Sequence, residues 1–174
     1  MSYFVQSSDF SDGGLRIPTT QYSVKVLQAF IDTEEPRILK QLLGCALYED
    51  FITNWVGDPT EDFADARFKV IYDPFCIDDD CGILESEGIK KMLMYFIYYK
   101  YTAETPTTPR INGFAKESND NSESSSAMGA ATFTKYNAGV DSYASIQRYM
   151  DELNPENYDY IEFNGQPKKY LTWF

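Results

Sequence analysis

Residues 85–101 (ESEGIKKMLMYFIYYKY) constrain the fold of this chain more than any other segment. Ser86 is a suitable N-cap, and neither a charge nor a helix breaker interrupts residues 92–99. A helix that is apolar on every side is normally buried by other helices, whereas a membrane span needs roughly 18 apolar residues. We therefore predict a mainly α fold, a small helical bundle around this central aromatic helix, with no membrane span.

Composition limits the classes of function. The chain has 174 residues, enough for one domain with its own core, and a formal charge of -12. This charge disfavours a protein that binds nucleic-acid phosphates or anionic membranes. Aromatic residues make up 16% of the chain, which is more than the core needs, and the surplus suggests contact surfaces. Because Cys45, Cys76 and Cys81 lack the spacing of a disulfide framework and no secretory signal opens the chain, we expect synthesis in a reducing cytoplasm.

The chain divides into three predicted segments. Residues 1–19 contain Gly13-Gly14 and are predicted to form an extended N-terminal arm. Residues 20–153 form the helical domain, with a first helix from Thr20 and a second that Thr33 caps and Gly44 ends. A third helix follows at once, so the second and third form an antiparallel pair or a kinked rod. Residues 154–174 form a C-terminal aromatic arm.

The rest of the helical domain is less regular. A helix over residues 63–71 is favoured over a strand at residues 68–72, and residues 73–82 are predicted to be a loop. Residues 114–126 are predicted to be a long polar loop, because residues 117–126 contain no apolar side chain. A closing helix is predicted to be in place by Asp141 and to start at Ala127 at the earliest, and its apolar face consists of Tyr143, Ile146, Met150 and Leu153.

The C-terminal arm has two interpretations. Residues 158–163 and 170–174 flank Asn164-Gly165, which favours a β-hairpin, with Pro167 confining the second strand to an edge. Its aromatic side chains either fold back on their own helices or dock on a neighbouring subunit, since Tyr and Trp anchor protein interfaces. We predict the second, and the candidate interface residues are Tyr158, Tyr160, Phe163, Tyr170, Trp173 and Phe174.

No catalytic motif is found in the sequence. The chain has no histidine, which excludes Ser-His and Cys-His pairs, and it has neither a P-loop nor a dinucleotide fingerprint. Asp78-Asp79-Asp80 is the one cluster suited to a hard cation, but its spacing does not match an EF-hand, and a solvated acidic loop is the preferred interpretation. We therefore expect no enzyme activity, catalytic residue, cofactor or metal.

The order of several short motifs resembles the head-tail connector proteins of tailed bacteriophages, also called adaptor or neck ring proteins. It is most similar to those of crAss-like and other Bacteroidetes phages, over about residues 22–153. The motifs are Leu42-Leu43-Gly44, Ala46-Leu47-Tyr48, Gly88-Ile89-Lys90 before an aromatic helix (Tyr95, Phe96, Tyr98, Tyr99, Tyr101), Thr105-Pro106-Thr107 and Gly113.

This resemblance implies a structural virion protein in the phage neck, assembled in the bacterial cytoplasm. Such proteins form a homo-oligomeric ring of twelve copies that binds the portal protein and other neck or tail proteins. DNA passes through the ring without specific binding, and no membrane is involved. Two alternatives remain: an acidic inhibitor or DNA mimic, suggested by the charge of -12, and a small metal-dependent enzyme using Asp78-Asp79-Asp80.

Overall fold

The computed structural model describes residues 4–17, 21–57, 62–79, 82–104, 108–110, 113–115, 124–160 and 167–170. Within these ranges the chain is mainly helical, which confirms the predicted mainly α class. The helices are α1 Gln21–Thr53, α2 Ala66–Tyr72, α3 Gly88–Glu104, α4 Ser124–Arg148 and α5 Pro155–Tyr158, with a π-helical turn at Tyr149–Leu153. The strands are β1 Trp55–Gly57, β2 Asp62–Phe63, β3 Phe75–Asp79, β4 Gly82–Ser86, β5 Thr108–Arg110 and β6 Gly113–Ala115, paired antiparallel as β1–β2, β3–β4 and β5–β6.

The predicted central helix corresponds to α3. It packs along α4 and also contacts α1 and α2. Ile89, Met92, Leu93 and Ile97 are fully buried in the hydrophobic core. An uninterrupted apolar sequence thus lies where several other elements can cover it.

The start of α3 depends on Gly88. This residue has a φ of 81°, and a Cβ atom there would lie 2.3 Å from the Tyr72 carbonyl oxygen. Only glycine combines that backbone conformation with so close an approach. Ser86, predicted as the N-cap, belongs to β4, but its Oγ does accept a hydrogen bond from the Gly88 N–H at 3.1 Å.

A single long element, α1, replaces the first three predicted helices. Thr33 does not cap a new helix: its hydroxyl donates to the Ala29 carbonyl at 3.0 Å inside α1, and Pro36 also lies within the helix. Gly44 is the predicted interruption, because its φ of 74° and ψ of 171° kink the element there. Two helical stretches therefore meet at Gly44, where the second predicted helix was expected to end.

The segment between α1 and α3 is partly as predicted. The favoured helix is confirmed as α2, whose N-cap Asp65 accepts from the Arg67 N–H at 3.0 Å. The loop predicted over residues 73–82 is wrong for residues 75–79 and 82, because β3 and β4 pair from Phe75↔Ser86 to Asp79↔Gly82. In β3, half-buried Phe75 and Ile77 alternate with exposed residues, which is the pattern of a strand with one covered face.

The prediction of an extended N-terminal arm is also wrong for the described residues. Residues 4–17 form two 3-10 turns, Ser7–Phe10 and Gly13–Leu15, despite the paired glycines. The apolar side chains of this segment enter the core, where they offset the cost of ordering it. They are Phe4, Val5, Phe10, Leu15 and Ile17.

The closing helix is confirmed as α4. It buries Tyr143 and Ile146, and the π-helical turn that follows buries Met150, while Leu153 is half-buried. Of the predicted polar loop over residues 114–126, residues 114–115 belong to β6 and residues 124–126 to α4, so the prediction is wrong at both ends. Residues 116–123 lie outside the described residues.

Candidate functional site

Tyr158 is the first of the predicted interface residues, and it is buried in its own chain. It ends α5, is 3% exposed, and donates through its hydroxyl to the Arg67 carbonyl. Its ring lies 6.1 Å from that of Tyr149. Burial, with a smaller effect of Tyr149, raises the pKa of Tyr158 well above its usual range. Its side chain is therefore covered before any partner arrives.

Tyr160 joins three parts of the chain through one hydroxyl group. It donates to the Leu42 carbonyl at 2.8 Å and accepts from Gln147 Nε2 at 2.9 Å. Nearby, the Tyr143 hydroxyl donates to the Gln41 carbonyl at 2.9 Å. Both carbonyls lie in the last turn before the Gly44 kink, where helix carbonyls lose their regular partners. The two tyrosines thus supply hydrogen bonds that the kink removes.

Tyr170 packs on the surface of α3 and α4. Its ring centroid lies 4.8 Å from that of Phe133, 5.0 Å from Tyr136 and 5.5 Å from Tyr99. Its backbone N–H donates to Asn137 Oδ1 at 2.9 Å, and Asn137 Nδ2 donates back to its carbonyl at 3.0 Å. Residues 167–170 are therefore held by side-chain contacts from α3 and α4.

The hydroxyl groups of this cluster are also linked. The Tyr99 hydroxyl donates to that of Tyr170 at 2.7 Å. Burial first, and then this hydrogen bond, raises the pKa of Tyr99 to about 12. Tyr170 keeps 44% of its surface exposed, so it is the one described member of the predicted set that still offers a large area to a partner.

The remaining predicted interface residues, Phe163, Trp173 and Phe174, lie outside the described residues, as does the predicted turn at Asn164-Gly165. Tyr158 ends a helix and so is not the start of the predicted hairpin strand. The described parts of the C-terminal arm pack on their own chain, which was the other interpretation of the sequence. The interface role of the whole segment stays a prediction.

A buried carboxylate that the sequence did not single out fixes the N-terminal segment. Glu35 is 1% exposed, and its Oε2 accepts from the backbone N–H groups of Val5 at 2.8 Å and Phe4 at 3.2 Å. In sequence it resembles an ordinary first-turn glutamate beside Glu34. Its role becomes visible only in the structure, where the buried N–H groups of Phe4 and Val5 each need an acceptor.

An acidic groove lies between the β3–β4 hairpin and α4, with a volume of about 380 Å³. Ile83, Leu84 and Ala144 give it apolar walls, and Ile83 is 70% exposed. The polar lining residues are Asp141, Ser145, Gln147, Arg148, Asp151 and Glu152. We call the apolar and the polar lining residues together the acidic groove.

The chemistry available for metal binding or thiol reactions is limited in the part of the chain that the structure describes. No group of three or more potential ligands comes together there, and Cys45 and Cys76 are exposed free thiols. Asp78 lies on β3, while Asp80 and Cys81 fall outside the described residues. In the same described ranges, no helix has both the length and the hydropathy to cross a membrane.

Residues 39–138 match the model of a family of unknown function, DUF6712. The chain belongs to this family. The match begins before the Gly44 kink, includes all of α3 and ends within α4, so it leaves out the N-terminal segment and the C-terminal arm. DUF6712 is thus defined on the central elements of the fold. Neither the curated proteins nor the solved structures contain a match.

Proposed function

We propose that this chain is a structural protein of a bacteriophage neck, in which a ring of twelve copies joins the portal to the tail. In this proposal each copy is a small helical bundle, and the ring extends the DNA channel. The order of motifs from Leu42-Leu43-Gly44 to Gly113 is the observation that carries it.

The structure gives two of these motifs a clear physical task. Gly44 kinks α1, and Gly88 allows α3 to start against the Tyr72 carbonyl. Motifs that fix the backbone path are suited to a structural protein, which acts through the surfaces it presents to its partners. This supports the resemblance without depending on any catalytic group.

A ring needs two different complementary surfaces on every copy, because each copy contacts two neighbours in a head-to-tail manner. The chain offers several candidate surfaces, among them the half-exposed ring of Tyr170 and the acidic groove. Their chemistry differs, aromatic in one and acidic in the other. Contacts of both kinds are common at protein interfaces.

Purified virions test the proposal directly. Mass spectrometry should detect this protein in stoichiometric amounts, and electron cryomicroscopy of the neck should place it in a ring next to the portal. Its absence from particles would overturn the proposal. If the protein is instead found bound to a DNA-binding host or phage protein and competes with DNA for it, the acidic inhibitor is the correct alternative.

A further inference from the structure

The part of α1 between residues 24 and 46 exposes basic but no acidic side chains, in a chain whose formal charge is -12. Between residues 24 and 46 the exposed charged residues are Lys25, Arg37 and Lys40, and none of the exposed residues in that range is acidic. Of the three acids in this range, Glu34 and Glu35 are 7% and 1% exposed, and Asp32 is half-buried. Arg37 is paired with Glu34 at 3.3 Å, but its own side chain is 71% exposed. We call the residues Lys25, Val26, Ala29, Thr33, Arg37 and Lys40 the α1 stripe.

The members of the α1 stripe lie on one face of the helix. Their spacing of three or four residues places them along one side over roughly 22 Å, at 1.5 Å per residue. Val26, which follows Lys25 at the N-terminal end of the stripe, is 40% exposed. Ala29 and Thr33 are short and exposed, so a partner can approach the helix closely between Lys25 and Arg37.

The acidic groove has the opposite chemistry. Asp141, Asp151 and Glu152 are exposed at its edges, and one of its two basic neighbours, Arg148, is already paired with Glu152 at 2.7 Å. The other, Lys169, meets Asp141 at 2.5 Å, but both side chains are more than half exposed. A pair so open to solvent is weak and can exchange partners at low cost.

The groove also contains an unsatisfied acceptor. Gln147 is 3% exposed and donates to Tyr160, yet its Oε1 has no hydrogen-bond partner in the described structure. A buried acceptor without a partner is destabilising, so the site favours a ligand that brings a donor. Lysine and arginine side chains bring donors on apolar stems that suit the walls formed by Ile83 and Ala144.

We infer that the α1 stripe of one copy docks in the acidic groove of a second copy of this chain. This inference rests on the proposed ring and names the contact that would repeat around it. The two surfaces share no residue, so the contact is head-to-tail, which is the kind that closes a ring. Opposite charges favour this arrangement over the contact of two acidic surfaces.

Paired charge reversals test the contact. Lys25→Glu with Lys40→Glu makes the stripe acidic, and Asp141→Lys with Asp151→Lys makes the groove basic. Each double variant alone should self-associate at least about tenfold more weakly than the unchanged chain, because like charges then face each other. An equimolar mixture of the two variants should regain association, since each stripe then meets a groove of opposite charge.

Controls and a second measurement keep the result unambiguous. Arg16→Glu with Lys168→Glu, and Asp12→Lys with Glu49→Lys, change the net charge equally at exposed positions outside both surfaces and should leave association unchanged. Sedimentation velocity at several concentrations gives the association constants, and circular dichroism checks folding. In the unchanged chain, carbodiimide coupling between isotopically distinct copies should link Lys25 or Lys40 to Asp141 or Asp151.

The outcomes separate this contact from the ring proposal. Variants that associate like the unchanged chain, or a mixture that does not recover, overturn the contact and leave the ring in place. An unchanged chain that neither sediments as more than a monomer nor gives these cross-links also overturns the contact. The ring itself is judged by the presence of the protein in virion necks.

Discussion

The Tyr160 hydroxyl donates a hydrogen bond to the Leu42 carbonyl at 2.8 Å, across 118 positions of sequence. The acceptor lies in the turn of α1 that precedes the Gly44 kink, and Leu42 is fully buried. A residue of the C-terminal arm therefore completes the hydrogen bonding of α1. This contact makes Tyr160 part of the fold of its own chain.

Tyr160→Phe should lower the free energy of unfolding by about 1–3 kcal/mol, because the Leu42 carbonyl loses its donor in a place that water reaches poorly. Urea unfolding measures the change. Tyr98→Phe is the matched control, since its hydroxyl has no hydrogen bond within the described structure and its removal should have little effect. Equal stability losses in the two variants would show that the Tyr160 contact contributes nothing specific.

Gly88→Ala should be strongly destabilising. A positive φ costs a non-glycine residue about 1–3 kcal/mol, and the contact of 2.3 Å with the Tyr72 carbonyl forces α2 and α3 apart in addition. Gly13→Ala separates the two effects, because Gly13 has a φ of 73° but nothing within 4 Å of its Cβ position. We expect Gly88→Ala to lose clearly more stability in urea than Gly13→Ala, and the reverse order would refute the steric argument.

Glu35→Gln should loosen the N-terminal segment. Charged acceptors contribute about 1.5–3 kcal/mol per hydrogen bond, and an amide in place of the carboxylate turns one acceptor into a donor that faces the Phe4 and Val5 N–H groups. Hydrogen exchange at those two amides should become faster, while the amides of α3 keep their protection relative to global unfolding. Glu49→Gln, at an exposed position of the same helix, is the control. Unchanged exchange at Phe4 and Val5 would remove Glu35 from this role.

Stability should fall at alkaline pH. Burial, followed by a hydrogen bond to Glu87, raises the pKa of Tyr95 from 10.0 to about 12, and the pKa of Tyr99 also rises to about 12. Below pH 10 both groups are protonated in both states, and their contribution is fully present. Between pH 10.0 and about pH 12, these two tyrosines release their protons in the unfolded chain but retain them in the folded chain. The free energy of unfolding therefore decreases as the pH rises through this range.

Chemical unfolding at a series of pH values measures that decrease. Glu87→Gln removes the negative charge beside the Tyr95 hydroxyl, and Tyr99→Phe removes the other titrating group, so each should make the decrease shallower. Tyrosinate absorbance of the folded protein provides an independent check. Folded and urea-unfolded protein with the same tyrosinate titration would contradict the prediction.

The elements that were predicted from sequence are those whose signal is local. The uninterrupted apolar run of α3, the apolar spacing of α4 and the kink at Gly44 can each be seen within a few neighbouring residues. The N-terminal segment was missed because its order depends on Glu35, 30 residues beyond Val5. The β3–β4 hairpin was missed because Asp78 and Glu85 occupy exposed strand positions, which composition alone does not distinguish from a loop.

The candidate site shows the same limit. The aromatic residues of the C-terminal arm were identified from composition, but their partners were not. Tyr158 donates to the backbone carbonyl of Arg67, a group that any sequence would supply, and the backbone of Tyr170 pairs with the side chain of Asn137, 33 positions away. Sequence patterns indicate which side chains are apolar enough to be buried. The surface that buries them depends on how elements distant in sequence are arranged.

The position of Phe4 has a consequence for synthesis of the chain. Its ring lies 5.1 Å from Phe51, 4.8 Å from Trp55 and 5.6 Å from Tyr72, so a residue that leaves the ribosome before α1 packs in a core whose other walls are synthesised later. Contacts of this separation close slowly, because the intervening chain must be ordered first. We expect arrested nascent chains that end before Tyr72 to be cleaved by protease near Phe4, and longer ones to become resistant there. A nascent chain that is already resistant near Phe4 before α2 has emerged would show that this segment folds before α2 is available.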